Sequence, residues 1–214
     1  MNDRSHSILV GGGGSLAEER LLTDARRGQI ARAALEIITA GGVEALSMAS
    51  VAERCGIVPS AIYRHFRGRD EMVAAAVDHV VSRARANVRE AVTSSGGALD
   101  ALERLLYKQL ELVDELVAIP RILFAAGGGP AGNPAFRKKL RRMLSGLLGE
   151  LEKLIRRGQE AGEIRRDVNP GVAARMYWGL LPTATILTIH FGRDFARGEF
   201  SREAWKVVRR SLEA

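Results

Sequence analysis

The most informative stretch of this 214-residue chain is SMASVAERCGIVPSAIYRHF, residues Ser47 to Phe66. It contains two short helical segments joined by Gly56-Ile57-Val58, with Ser47 as an N-cap for the first segment and Pro59 as a favoured first residue of the second. Each segment is shorter than three turns, so neither is stable alone in water and both must pack on a neighbouring helix. A glycine in the turn and the small Ala52 at the crossing point are typical of a helix-turn-helix.

Helical periodicity continues on both sides of this stretch. A first helix is predicted from Thr23 to Ala40, ended by Gly41-Gly42, and a long helix from Arg69 to Thr93. Ser94 to Gly97 divides the chain into two parts. Further helices are predicted near 98–118, 120–126, 134–161, 170–191 and 202–212, three of them capped by Asn133, Asn169 and Ser201. The predicted fold class is all-α.

Composition agrees with a helical globular protein. The chain is 46% hydrophobic, which fills a core and excludes disorder over the whole length, and only 5% aromatic, which disfavours a β-sandwich or barrel. No run reaches the roughly 18 to 20 apolar residues of a membrane helix, and 176–192 is interpreted as a buried helix with a polar side. The single cysteine, Cys55, is expected to be a buried small hydrophobe in a protein of the reducing cytosol.

Residues 24–72 resemble the TetR/AcrR family of transcriptional regulators. The resemblance begins on the first helix with Gly28-x-Ile30-x-x-Ala33-Ala34-Leu35. It continues through Ser47-Met48-x-x-Val51-Ala52-x-x-Cys55-Gly56-Ile57 and Ile62-Tyr63-x-x-Phe66-x-x-Arg69-x-x-Met72. It implies an N-terminal three-helix helix-turn-helix DNA-binding domain and a C-terminal helical ligand-binding and dimerisation domain.

Carried over by position, the resemblance implies phosphate contacts from Ser47, Tyr63, His65 and Arg69. Contacts to the base edges of DNA are expected from the start of the second helix of the motif. The candidate residues are Val58, Pro59, Ser60, Ala61 and Arg64. A hydroxyl at a helix start and a phenol on an exposed side suit phosphate oxygens. Val58 departs from the family, which usually has a capping serine or threonine at this position, and the missing cap should cost about 1 kcal/mol. His65 is equally well interpreted as a solvated surface histidine.

The expected organisation is a flexible tail over 1–22, the DNA-binding domain over 23–70, a connecting helix and linker over 71–97, and a regulatory domain over 98–214. In the family, the two helices nearest the C-terminus form the dimer interface, here 170–191 and 202–212. The implied function is a ligand-responsive repressor that binds a palindromic operator as a homodimer. The expected partners are double-stranded DNA, a second copy of the chain and an apolar or weakly polar effector, with no membrane.

A pocket between the regulatory helices has eight candidate residues, although plain core is the preferred interpretation of each: Leu112, Leu116, Phe124, Met143, Leu147, Tyr177, Trp178 and Leu181. The residues suggest no nucleophile and base pair, no phosphate-cradling loop and no metal-ligand spacing, so the chain is expected to be no enzyme and to need no cofactor or metal. The alternative is a helical small-molecule-binding protein or enzyme without DNA binding.

Charge has to be considered by region. The formal net charge is +7, but residues 1–93 contribute +1 and residues 94–214 contribute +6. DNA binding is therefore inferred from the acid-free stretch that holds Arg54, Arg64, Arg67 and Arg69. The cluster Arg137 to Arg142 is interpreted either as a solvated helix face or as a site for a DNA phosphate or an acidic ligand.

Overall fold

The computed structural model describes residues 13–123, 132–192, 194–195 and 198–214. Within these ranges the chain is helical, and its β-pairing is limited to one isolated bridge between Ile164 and Glu213. The all-α fold class is therefore confirmed. A short 3-10 helix lies at Val43–Ala45, and the α-helices are α1 (Gly13–Gly41), α2 (Met48–Cys55), α3 (Pro59–Tyr63), α4 (Arg69–Thr93), α5 (Ala98–Glu111), α6 (Val113–Leu116), α7 (Ala118–Leu123), α8 (Pro134–Glu160), α9 (Pro170–Phe191) and α10 (Glu199–Leu212).

Helix α2 has the start and end that its sequence predicts. The hydroxyl of Ser47 accepts a hydrogen bond from the Ser50 backbone N–H, and the Ser50 hydroxyl accepts one from the Ser47 N–H, which completes a capping box. Gly56 ends the helix in the left-handed region with φ 65°. A side chain at this position would be strained, so the turn between α2 and α3 depends on glycine.

Helix α3 is shorter than its sequence suggests. It begins at Pro59 without a side-chain cap from Val58, as predicted, but it ends at Tyr63. Phe66 was expected to point inward from this helix and instead lies beyond its end, yet it is buried, as is Ile62. The two residues hold the short helix against the core, since a helix of this length has little stability of its own.

Helix α1 begins ten residues before its predicted start at Thr23. Residues 13–22 were assigned to a flexible tail, and this assignment is wrong because they form the first turns of α1. No capping signal marks Gly13, so the sequence offered nothing local from which to place the start. The earlier part of the tail, including Gly11 and Gly12, lies outside the described residues.

The predicted helix 98–118 is divided in the structure. Leu112 interrupts it, so that α5 is followed by the separate short helices α6 and α7. The last helix also differs: α10 begins at Glu199, and Ser201 lies inside it with its hydroxyl donating to the Gly198 carbonyl, so Ser201 is not the N-cap. The starts of α4, α8 and α9 are as predicted.

The core runs through both parts of the chain without interruption. Helix α4 contributes the predicted apolar stripe, which includes Met72, Ala76 and Val80, and it packs on α1, α5 and α8. Gly158 of α8 lets Ala98 of α5 and Ile164 pack against this helix, because a Cβ there would lie 2.8 Å from Ala98 Cβ and 2.6 Å from Ile164 Cδ1. Among the described helices none is long and apolar enough to cross a membrane.

The interpretation of 176–192 as a buried helix with a polar side is correct for one face of the helix, where Tyr177, Leu181 and Ala184 are buried, and wrong for the opposite face. Several large apolar side chains of α9 are exposed, including Met176 at 72% and Phe191 at 69%, and Val207 of α10 is 68% exposed. Ile186 and Ile189 are also exposed. Hydropathy distinguishes apolar from polar segments, but it does not distinguish the core of one chain from a face between two chains.

Candidate nucleic-acid interface

The short helix α3 has one buried and one exposed side. Ile62 is fully buried, whereas its neighbour Tyr63 is 61% exposed. The small residues at the start of the helix, Ser60 and Ala61, are exposed and half-buried. Val58, just before the helix, is 62% exposed without a hydrogen-bonding cap. A narrow tip with small side chains can enter the major groove of DNA without steric conflict.

The residues predicted to contact phosphates differ in whether their polar groups already have partners within the protein. Ser47 is exposed at the start of α2, where its hydroxyl already caps the helix. Arg69 is half-buried: its Nη2 donates to the Val43 carbonyl at 2.7 Å and lies 3.2 Å from a carboxylate oxygen of Glu44. Arg69 therefore ties the start of α4 to the 3-10 helix, a role that its sequence position did not reveal.

The local charge of the motif is smaller than the sequence suggests. Arg54 donates two hydrogen bonds to Glu36 Oε2, at 2.9 and 2.7 Å, and Arg69 is paired with Glu44. The two exposed arginines next to α3, Arg64 and Arg67, have no side-chain hydrogen bond or ion pair among the described residues. These two are the cations most available to a polyanion.

Nothing in the amino-acid sequence indicates the role of Arg27. Its guanidinium lies 4.3 Å from the centroid of the Phe66 ring, Nη2 lies 3.0 Å from Glu71 Oε1, and Nη1 donates to the His65 carbonyl. Glu71 also accepts from the Arg67 backbone N–H at 2.8 Å. These bonds from Arg67 and Arg27 lower the pKa of Glu71. Arg27 thus fixes the turn between α3 and α4 from α1.

His65 lies half-buried at this turn. Burial lowers its pKa, and the nearby cations Arg27, Arg26 and Arg64 lower it further. A neutral imidazole is favoured in the free protein, and a phosphate oxygen close by would reverse the effect of those cations.

The eight pocket candidates do not share one environment. Leu112, Met143, Leu147, Tyr177 and Leu181 are buried, Leu116 and Trp178 are half-buried, and Phe124 lies outside the described residues. The Tyr177 hydroxyl donates to the Leu102 carbonyl at 2.6 Å, so it braces α9 against α5. Burial raises the pKa of Tyr177 well above its ordinary value.

Cys55 and the basic cluster 137–142 were also singled out from the sequence. Cys55 is half-buried, less than expected, and burial raises the pKa of its thiol. In the basic cluster 137–142, Lys139 pairs with Asp78 of α4 at 2.5 Å, while Lys138 and Arg141 are exposed. In the part of the chain that the structure describes, no group of three His, Cys, Asp or Glu could hold a metal ion.

Comparison with known proteins agrees with this geometry. Residues 30–76 match the family described as "Bacterial regulatory proteins, tetR family", and residues 128–202 match "Tetracyclin repressor-like, C-terminal domain". The chain belongs to the TetR family of transcriptional regulators. It is accordingly a DNA-binding, ligand-responsive regulator, with the family's two characteristic parts in the order that the sequence predicted.

Several relatives of this TetR-family chain are known. It is 23% identical over 155 residues to the fatty acid metabolism regulator protein of Bacillus subtilis, covering 72% of this chain and 78% of the relative. A TetR-family regulator structure from Rhodococcus sp. has a TM-score of 0.65 and 27% identity, covering 86% of this chain and 99% of the other. The regulator FadR of Bacillus subtilis in complex with stearoyl-CoA shares the fold, with a TM-score of 0.67, 19% identity and coverage of 86% and 98%.

Proposed function

We propose that the chain is a repressor that binds a palindromic operator as a homodimer and leaves it when an effector binds. The observation that best supports DNA binding is that α3 has a buried side and an exposed side: Ile62 is fully buried, whereas the adjacent Tyr63 is 61% exposed. The small, exposed tip of α3 is the part that enters the major groove. The domain division at 23–70, 71–97 and 98–214 is part of the same proposal.

Each predicted contact residue receives a role from its surroundings. Ser47, Tyr63 and His65 contact phosphates, and Arg69 adds a phosphate contact while keeping its bond to the Val43 carbonyl. Ser60, Ala61 and Arg64 face the base edges, because they lie at or next to the tip of α3. Phosphate contacts fix the position of the protein on DNA, and base contacts set its sequence preference. Val58 and Pro59 shape the tip rather than donate hydrogen bonds.

Dimerisation is proposed to cover the exposed apolar face of α9 and α10. Met176, Phe191 and Val207 are each more than two-thirds exposed, and Val172 is 52% exposed. Several large exposed apolar side chains on two helices that follow one another in the chain are typical of a face that another protein covers. A two-fold dimer would place two copies of α3 about one turn of DNA apart, roughly 34 Å, which gives the palindrome.

The effector is proposed to enter the regulatory part among the predicted pocket residues. Gln109 of α5 supports an interior ligand: its side chain is fully buried, Nε2 donates to the Ala84 carbonyl at 2.9 Å, and Oε1 has no hydrogen-bond partner. Such an acceptor costs about 1 to 3 kcal/mol unless a ligand or water bonds to it. Since a relative was solved with stearoyl-CoA, acyl compounds are the first effectors to test.

Two connections carry a change in the regulatory part to the DNA-binding part. Helix α4 is continuous from Arg69 to Thr93, and α1 packs on both α6 and α7. A ligand that shifts α6, α7 or the far end of α4 would therefore move α3 and alter the spacing of the two half-sites. A ligand that favours this second arrangement weakens operator binding by the difference of its affinities for the two states.

The test is binding of the full-length protein to DNA upstream of its own gene across a salt series. Binding should weaken steeply with salt, and Tyr63→Ala should lower affinity for all sequences by about threefold to tenfold. Arg64→Ala should instead reduce the discrimination between operator and non-operator DNA. Tyr107→Ala, on α5, is the matched control. Absent or salt-insensitive binding would favour the alternative of a helical ligand-binding protein or enzyme.

A further inference from the structure

A cleft lies between the second half of α4 and the middle of α8, away from the helix-turn-helix. Its volume is about 410 Å³, within the range of small-molecule sites. The apolar part of its lining is formed by Val88 and Leu147, which are buried, and by Val92, which is half-buried. None of these residues belongs to the DNA interface, and Leu147 is the only one among the effector-pocket candidates.

Two arginines of α4 line the same cleft. Arg85 and Arg89 are exposed, one helical turn apart, and neither side chain has a hydrogen bond or ion pair among the described residues. Arg83, on a different face of the same helix, is paired with Glu115. Each guanidinium group can bind a carboxylate or a phosphate through two parallel hydrogen bonds, and two of them one turn apart place two such groups on the same side of the cleft.

The other charged groups near the cleft leave it positive. Glu150 lines it, but its carboxylate accepts a hydrogen bond from Lys153 at 2.8 Å. Next to Val92, Arg157 donates through Nη1 to the Val92 carbonyl at 2.7 Å, while its Nη2 is buried and has no hydrogen-bond partner. An anion in the cleft would offset this local excess of positive charge.

At Gly146, one of the positions where helix α8 borders the cleft, the helix has no side chain. Gly146 lies in the middle of α8, where glycine is unfavourable relative to alanine and no positive φ requires it. A Cβ at this position would lie 3.6 Å from Arg85 Nη2, which is ordinary contact, so alanine would fit. A longer side chain would occupy the space beside Arg85.

We propose that this cleft binds a small amphipathic anion. Its carboxylate or phosphate head would bind Arg85 and Arg89, and its apolar tail would lie on Val88, Val92 and Leu147. Both halves of the cleft fit such a molecule, since the arginines supply charge-assisted hydrogen bonds and the apolar side chains supply a surface that gains from burial.

The regulatory consequence of this site rests on the proposed function, whereas binding itself does not. Helix α4 extends from the cleft to Arg69, which is bonded to the 3-10 helix of the helix-turn-helix part. A ligand that bridges α4 and α8 would therefore fix the position of α4 relative to the regulatory helices and change the affinity for the operator.

The experiment is isothermal titration of the full-length protein with sodium decanoate and with decyl phosphate, and with decan-1-ol as the uncharged probe. The double variant Arg85→Ala/Arg89→Ala should weaken binding of the anions by about tenfold or more. The matched control, Lys138→Ala/Arg141→Ala, removes two exposed cations of α8 outside the cleft and should leave affinity within about twofold.

A second pair of variants tests whether a longer side chain in the cleft prevents binding. Gly146→Met should block decanoate binding, whereas Gly149→Met, on the same helix with open space around it, should not. Equal binding of decan-1-ol, no binding of either anion, or equal loss in the two double variants would overturn the proposal. Operator binding is measured on the same samples: its absence would contradict the repressor proposal alone, and the titration would still decide whether the cleft is a site.

Discussion

The guanidinium of Arg27 in α1 lies 4.3 Å from the centroid of the Phe66 ring, 39 residues further along the chain. The same side chain lies 3.0 Å from Glu71 in α4 and donates to the His65 carbonyl. One arginine thus connects the first helix, the end of the recognition segment and the start of the connecting helix. These contacts hold the turn that directly follows α3 against α1.

Arg27→Ala should therefore lower the free energy of unfolding by about 1 to 2 kcal/mol, the sum of a partly exposed cation–π contact, an ion pair and a hydrogen bond. Operator affinity should fall as well, because the turn after α3 loses its support. Denaturant unfolding and operator titration measure the two effects. Arg26→Ala is the control, since Arg26 is exposed and bonds only to Gln29 within its own helix. Equal effects of the two variants would contradict this account.

The titration of His65 predicts a pH dependence of operator binding. Its pKa is lowered in the free protein by burial and by Arg27, Arg26 and Arg64, so the folded state binds this proton less readily than the unfolded chain. The associated stability is present above about pH 6.5 and is lost as pH falls through the lowered pKa of the folded state.

On the operator the sign is reversed, because a phosphate near His65 favours the imidazolium. We expect affinity to rise by about twofold to fivefold between pH 8 and pH 6 at constant ionic strength, and this rise to disappear in His65→Gln. His79→Gln is the control, because burial also lowers the pKa of His79, which lies on α4 away from the recognition helix. An unchanged pH profile in His65→Gln would show that His65 does not contact phosphate.

Gln109 gives a prediction in which a core substitution stabilises the protein. Gln109→Met keeps the volume and removes the buried, unbonded Oε1, which costs about 1 to 3 kcal/mol, but it also removes the hydrogen bond from Nε2 to the Ala84 carbonyl, worth about 1 kcal/mol. The free energy of unfolding should therefore rise by about 1 kcal/mol. The response of operator binding to acyl compounds should weaken in the same variant. Gln159→Met should instead destabilise the protein, because Nε2 of Gln159 donates to the carbonyls of Arg165 and Val168. A loss of stability in Gln109→Met would mean that the acceptor is already satisfied.

The exposed apolar face predicts the effect of introducing charge. Met176→Glu/Val207→Glu should convert the dimer to a monomer in sedimentation experiments and lower operator affinity by about tenfold or more, since the two half-sites are then bound independently. The thermal stability of the monomer should change little, because both side chains are exposed at 72% and 68%. Leu22→Glu, at a site 67% exposed on α1, should leave the oligomeric state unchanged. A dimer that persists in the double variant would place the interface elsewhere.

Helix starts that depend on neighbouring residues were predictable from the sequence. Ser47, Asn133 and Asn169 each cap the helix that follows, and Gly56 ends α2 in the left-handed region. These are interactions within a few residues, which the order of amino acids specifies directly. The recognition segment and the family could be identified for the same reason.

Features that depend on contacts between residues distant in sequence could be found only from the tertiary structure. The early start of α1 and the break at Leu112 have no local signal, and packing decides both. From the sequence, Arg69 was interpreted as a free cation, but in the structure it bonds to the Val43 carbonyl and to Glu44. The importance of Arg27 follows only from its contacts with Phe66 and Glu71, which are distant in sequence. The same limit applied to α9, on which several large apolar residues, including Met176 and Phe191, lie on the surface of the chain. Local order specifies the helix starts that carry a capping residue, whereas pairing and exposure depend on how those helices pack.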